Sequence, residues 1–176
     1  MKKIIIFSLF LSMAVSSNAQ DWNVTEHQAD ELKGNTAYTS YVYDVPDVGS
    51  FVCWNNKPYQ YRIVNSDGIF NYKSGYSKYG GSYRGLTVIV GLYSADDKLI
   101  EKIEMWLDAE SDKPTFLETR DAGGMFNPVG QKKKVKKIMK HLQSGSGYVR
   151  ILADTYGTHK NFDLKIPCTL KANFIE

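Results

Sequence analysis

The sequence predicts a mainly β fold: an antiparallel β-sandwich of jelly-roll-like type, with one amphipathic helix near the C-terminus. Three observations lead there. Leu86-Thr87-Val88-Ile89-Val90, extended by Leu92 and Tyr93, is the most continuously apolar and β-branched run outside the first twenty residues. After the polar break Ser94-Ala95-Asp96-Asp97, Leu99, Ile103, Met105 and Leu107 recur at even spacing against Lys98, Lys102, Glu104 and Trp106. That pattern is a strand buried on both faces, a tight turn and a half-buried antiparallel partner. The third observation is that helical periodicity is convincing in one place only, about Gly130 to Gln143, where Val135, Ile138, Met139 and Leu142 make one apolar stripe.

The elements follow in order. Residues 1–19 read as a signal peptide: Lys2-Lys3, then an apolar run from Ile4 to Val15, then small residues at Ser17-Asn18-Ala19. The run is short for a bilayer span, so no transmembrane segment is expected after cleavage. The Asn-Ala-Gln ending resembles export signals of Bacteroidota, and export implies a periplasmic or secreted protein. Residues 20–176 are then a single domain. The whole chain carries 22 Lys+Arg and 19 Asp+Glu; without Lys2 and Lys3 the balance is 20 against 19. A near-neutral protein offers no bulk charge to attract nucleic acid or a membrane surface.

Asp21 to Leu32 is polar and is expected to be a poorly ordered lead-in up to about Gly34, with a short helix or an edge strand as the alternatives. Thr36 to Val45 is the first secure strand, closed by Pro46-Asp47 and Gly49. Phe51 to Trp54 and Tyr59 to Val64 flank the turn Asn55-Asn56-Lys57-Pro58, and Asn65-Ser66-Asp67-Gly68 ends this β-meander. Tyr72 to Gly85 then places Tyr72, Tyr76, Tyr79 and Tyr83 among Gly75, Gly80 and Gly81. Tyrosines on a glycine-rich loop offer rigid apolar faces with hydroxyls, suited to sugar rings or a protein partner. They are the first candidate binding surface; as a plain structural alternative, they cover a sandwich edge.

The acids of Asp108 to Asp112 begin like a calcium loop. Lys113 and Thr119 then stand where such a loop needs Gly and Glu, so no metal site is expected. Thr115 to Thr119 is a further short strand. On the helix, Lys133, Lys134 and Lys137 belong to a six-lysine face, either a solvated surface or a seat for an anionic partner. The helix carries no aromatic residue, which argues further against nucleic acid. Tyr148 to Asp154 alternates, and Phe162, Leu164, Ile166 and Cys168 line one face of the last clear strand. An extended piece with Leu170, Ala172 and Phe174 follows. Cys53 and Cys168, the only cysteines, fall in predicted strands; an exported protein permits a disulfide between them, and two reduced core thiols are the alternative.

The last quarter carries a family resemblance. A helix ending Leu142-Gln143-Ser144-Gly145, then Tyr148 to Ile151, then Phe162 to Ile166, then Asn173-Phe174 resembles the close of the exported invasion-associated locus B family. There a Gly stands where this chain has Asn173. The resemblance implies an exported β-sandwich without a known catalytic centre, and it transfers no site residue.

Catalytic chemistry has little footing. His27, His141 and His159 are far apart, without metal-site spacing, and no nucleophile elbow or phosphate loop occurs. Carboxylates such as Glu101 with Glu104, or Glu118 with Asp121, are the glycosidase candidates, though the first pair alternates to opposite strand faces. The expected function is therefore a non-enzymatic exported binding protein of the bacterial envelope, taking a glycan or an envelope protein and needing no cofactor. A small hydrolase acting on polysaccharide, with carboxylates from separate strands, is the alternative.

Overall fold

The computed structural model describes residues 21–29, 32, 34, 36–58, 60–65, 73–76, 82–109, 116–119, 130–153 and 162–174. Among these the chain forms β1 (Asn23–His27), β2 (Tyr38–Val45), β3 (Gly49–Trp54), β4 (Tyr61–Asn65), β5 (Lys73–Tyr76) and β6 (Ser82–Tyr93). The remainder are β7 (Leu99–Ala109), β8 (Phe116–Glu118), α1 (Gly130–Leu142), β9 (Tyr148–Ala153) and β10 (Phe162–Pro167). Every pairing is antiparallel, in the order β1-β2-β3-β4-β8-β7-β6-β9-β10, with β5 on the first residues of β6. β10 also lies against β2 and β3, which are not its ladder neighbours. The sheet therefore turns back on itself in a sandwich-like arrangement. The protein is mainly β and antiparallel with a single amphipathic helix among the described residues, as its patterning predicts.

The core lies between the two halves of the sheet. Tyr41, Tyr43, Phe51, Cys53, Tyr61 and Ile63 enter it from β2 to β4, each at alternate positions. Val88, Val90, Leu92, Ile103, Met105 and Leu107 enter from β6 and β7, and Val149, Ile151, Leu164 and Ile166 from β9 and β10. α1 closes one side with Val135, Ile138, Met139 and Leu142. Gln131 Nε2 donates to the Trp106 carbonyl at 2.9 Å, and the Leu170 amide to the Leu142 carbonyl at 3.0 Å. These bonds tie the helix to β7 and to the C-terminal segment, whose Leu170 and Ala172 are buried. No helix among the described residues is long and apolar enough to cross a membrane.

The structure departs from the sequence expectations in three places. In place of the loose lead-in expected from Asp21 onward, the edge-strand alternative holds for Asn23 to His27, which pair with Val42 to Tyr38. Its residues are almost all exposed, so edge hydrogen bonding holds a strand that hydropathy does not mark. Trp22 anchors its start, with ring centroids 5.4 Å from Tyr43 and 6.1 Å from Phe51. Second, the tyrosine-rich segment is not one long loop, because Lys73 to Tyr76 pair with Gly85 to Ser82. The glycines are tolerated where the ladder itself supplies the order.

Third, the central hairpin is buried on one face and only half-covered on the other, at Thr87, Ile89 and Tyr93. Leu99, expected in the core, is 53% exposed. Register shifts between Leu92 and Tyr93, so that Leu92 opposes Glu101 while Tyr93 opposes Leu99. One extra residue at this bulge turns Leu99 to the outer face.

Candidate functional site

Because β2, β3 and β4 send Tyr41, Cys53 and Tyr61 inward, strand alternation sends Tyr38, Ser40, Trp54 and Arg62 outward. Ser40 stands opposite Trp54 in the ladder, and His27 opposite Tyr38. The imidazole of His27 stacks on Tyr38 at 4.3 Å and 13°, with Nε2 2.9 Å from Ser40 Oγ. The turn after β3 is pinned from both sides. Asn55 donates its amide to Thr39 O at 3.0 Å, and Asn55 Oδ1 accepts from the Thr39 amide at 2.8 Å. The Lys57 amide closes the turn on Trp54 O at 3.2 Å. Lys57 thereby comes back over the strand it follows.

Two cations converge on one ring. Lys57 Nζ lies 5.4 Å and Arg62 Cζ 5.2 Å from the Trp54 centroid. The negative face of an indole attracts each, which holds long side chains in place. Beside them opens a cleft of about 360 Å³, bounded by Thr36, Tyr38, Trp54, Asn56, Lys57 and Arg62. Asn56 Oδ1 is buried there without a hydrogen-bond partner. Glu118 stands opposite Arg62 in the β4–β8 ladder, and its side chain lies outside the described residues. The cleft thus offers cations and an aromatic wall, while the Asn56 Oδ1 acceptor is closed to it.

The residues singled out from sequence fall elsewhere. Tyr76 and Tyr83 have their backbones in the β5–β6 hairpin, opposite Ser82 and Gly75. Tyr72 and Tyr79, and the side chains of Tyr76 and Tyr83, lie outside the described residues. Lys133 is exposed. Lys134 Nζ donates to Glu104 O at 2.7 Å, and Lys137 Nζ meets Glu101 Oε1 at 2.6 Å. Two of the three candidate lysines thus fasten α1 to β7. Cys53 and Cys168 are both buried free thiols, with no bond between them in this structure. Desolvation pushes the Cys53 thiol far up and the Cys168 thiol to about 11, the latter partly offset by a hydrogen bond with Ser144.

Of the glycosidase candidates, Glu101 is engaged by Lys137, and Asp121 lies outside the described residues, as does His159. His141 Nε2 sits 3.0 Å from Tyr93 O, on a different part of the fold from His27. Among the described residues no group of His, Cys, Asp and Glu could hold a metal ion.

Two other surfaces are built differently. Tyr93 and Tyr148 stack at 4.7 Å and 6°, with Lys165 Nζ 3.8 Å from the Tyr148 ring. Arg150 forks onto Asp163 at 2.6 and 2.9 Å, and that carboxylate holds the guanidinium proton more tightly than usual. The charges of this face are thus largely satisfied within the protein. A hollow of about 410 Å³ separates α1 from the C-terminal segment, between Met139, Lys140, Ala172 and Phe174.

Sequence reasoning passed over Trp54, Lys57 and Arg62. The available signal was the strand parity of Trp54 and Arg62, while Lys57 lies in the turn and has none. Comparison with protein-family models, curated proteins and solved structures returns no match.

Proposed function

We propose that the protein is an exported, non-enzymatic binding protein of the bacterial envelope, and that its ligand seats in the Trp54 cleft on the outer face of β2 to β4. One observation carries this: Lys57 and Arg62 are held against a single indole beside a cleft of about 360 Å³. Cations and aromatic rings around a polar cleft suit a hydroxyl-rich ligand, and a glycan is the class that best meets them. Export follows from the Lys2-Lys3, Ile4–Val15 and Ala19 pattern, and the C-terminal resemblance to the invasion-associated locus B family agrees with it. The tyrosine-rich segment is kept as a second contact surface for a larger ligand.

The test is a screen of the protein lacking residues 1–19 against envelope and polysaccharide components, repeated with Trp54→Ala. Binding lost in the variant, with an unchanged thermal melt, supports this site. Binding that survives Trp54→Ala but is lost in Tyr76→Ala/Tyr83→Ala moves the function to the tyrosine segment. Cleavage of a polysaccharide by the purified protein would replace the binding reading with the hydrolase.

A further inference from the structure

We propose that β1 is exchangeable between two copies of the protein, so that the N-terminal strand of each pairs with β2 of the other in a symmetric dimer.

The starting point is how little holds β1. It stands at the end of the ladder order, and β2 is its only strand neighbour among the described residues. It is also first in chain order, so withdrawing it breaks one pairing and leaves the other strands in place. Asn23, Val24, Thr25 and Glu26 are exposed, so the strand itself buries little apolar surface. Its anchor is Trp22, whose indole tucks against Tyr43 and Phe51. Even that seat is imperfect: Trp22 Nε1 is buried without a hydrogen-bond partner, which weakens the docked state. An edge strand fastened in this way opens before the rest of a fold does.

The edge that opening uncovers selects its occupant. β2 runs from Tyr38 to Val45 with neither Lys nor Pro to guard it against another strand. What fits is a strand with the features of β1: an indole for the corner of Tyr43 and Phe51, an amide for Asp44 and an imidazole for Ser40. Asn23 Nδ2 donates to Asp44 Oδ2 at 2.9 Å, and His27 Nε2 lies 2.9 Å from Ser40 Oγ. A second copy carries all three groups at the same spacing. Its link to its own β2, Gln28 to Ala37, reaches up to about 33–36 Å when extended. Exchange thus keeps every contact of β1 and sacrifices only the independent motion of one molecule, so concentration decides between the two forms.

The exchange also reaches the cleft. Tyr38 lines it, and His27 stacks on that ring at 4.3 Å. In the dimer the imidazole behind each Tyr38 comes from the other copy, so each cleft wall is supported by the neighbouring molecule.

The first measurement is light scattering after size exclusion, on protein lacking residues 1–19, over a wide concentration range. Dimer is expected to rise with concentration, and isolated dimer to return slowly to monomer on dilution, because β1 must unpair first. Monomer at every concentration, with an intact melt, overturns the proposal. The second measurement locates the interface. Asn23 and Val42 stand opposite each other in the β1–β2 ladder, where Cα separations of about 4.5–5.5 Å suit a disulfide. Asn23 is exposed and Val42 half-buried, and the native Cys53 and Cys168 are buried, so they should stay out of the reaction. Asn23→Cys and Val42→Cys chains are oxidised at dimer-forming concentration, separately and as a mixture. A covalent dimer in the mixture alone is expected. A covalent dimer of Asn23→Cys by itself means that two β1 edges pair side by side, which overturns exchange. A dimer that the mixture does not cross-link places the interface elsewhere and overturns it too. In the double variant Asn23→Cys/Val42→Cys, oxidation at high dilution pins β1 to its own β2. That form should stay monomeric where its reduced form dimerises, and equal dimerisation of the two would again overturn exchange.

Discussion

Gly147 joins the end of α1 to β9 at φ +82, and a Cβ built there would run into the Tyr93 carbonyl oxygen. Gly145, two residues earlier, has φ +77 but open space around it. The two positions separate backbone strain from collision. Gly145→Ala should cost about 1 kcal/mol, the penalty of a left-handed non-glycine residue. Gly147→Ala adds overpacking against main chain that cannot swing away, and should cost more than about 2 kcal/mol. Urea unfolding of both variants gives the comparison, and equal losses would mean that the turn relaxes freely. The two thiols make another residue-scale case. Burial raises the Cys168 pKa from its ordinary 9.0 to about 11, so the folded chain keeps a proton that the unfolded chain releases. The sign is therefore destabilising: stability is intact below about pH 9 and declines as pH rises toward 11. Cys168→Ala should lessen that decline, and buried Cys53, whose thiol is pushed up further, keeps its own share of it. In native protein at neutral pH neither thiol should react quickly, since the thiolate is the reactive form. Two thiols titrated after unfolding without reductant would confirm that both are free; none would establish the bond considered from sequence.

At the scale of the element, α1 illustrates how differently its two faces hold it. Ile138 is fully buried, and Ile138→Ala should cost about 2–5 kcal/mol through lost transfer energy and the cavity left behind. On the opposite flank, Lys137 meets Glu101 at 2.6 Å, but both side chains are well exposed, at 58% and 39%. A double-mutant cycle on this pair should return no more than about 1 kcal/mol, shrinking with salt. A coupling above 2 kcal/mol would show that the ion pair, and not the apolar stripe, positions the helix. The stripe itself was legible: Val135, Ile138, Met139 and Leu142 are the buried positions that helical spacing marks. β9 and β10 were legible for the same kind of reason, since alternate residues there face core and solvent. β1 was not. Its five residues are nearly all exposed, so hydrophobic periodicity has nothing to record, and only pairing with β2 makes them a strand.

Across the whole molecule, closure depends on contacts between the ends of the chain. β10 packs on β2 and β3, and Trp22 caps Tyr43 and Phe51 from outside β1. Trp22→Ala should therefore destabilise the protein by about 2–4 kcal/mol, although the residue sits at the polar start of the chain. A loss below 1 kcal/mol in thermal or urea unfolding would mean that the indole only covers an already closed core.

The sequence alone determined that the fold is antiparallel and mainly β, that one amphipathic helix lies near its end, and where most strands run. Those features come from side-chain periodicity, which is local and written residue by residue. Tertiary structure decided that Lys57 and Arg62 meet on one ring, that Asn56 Oδ1 is left without a donor, and that Lys134 and Lys137 are drawn to β7. It also decided that a bulge turns Leu99 out of the core. Each of these depends on ladder register or on the path of a turn, and a one-residue change in either sends the same side chains to different neighbours.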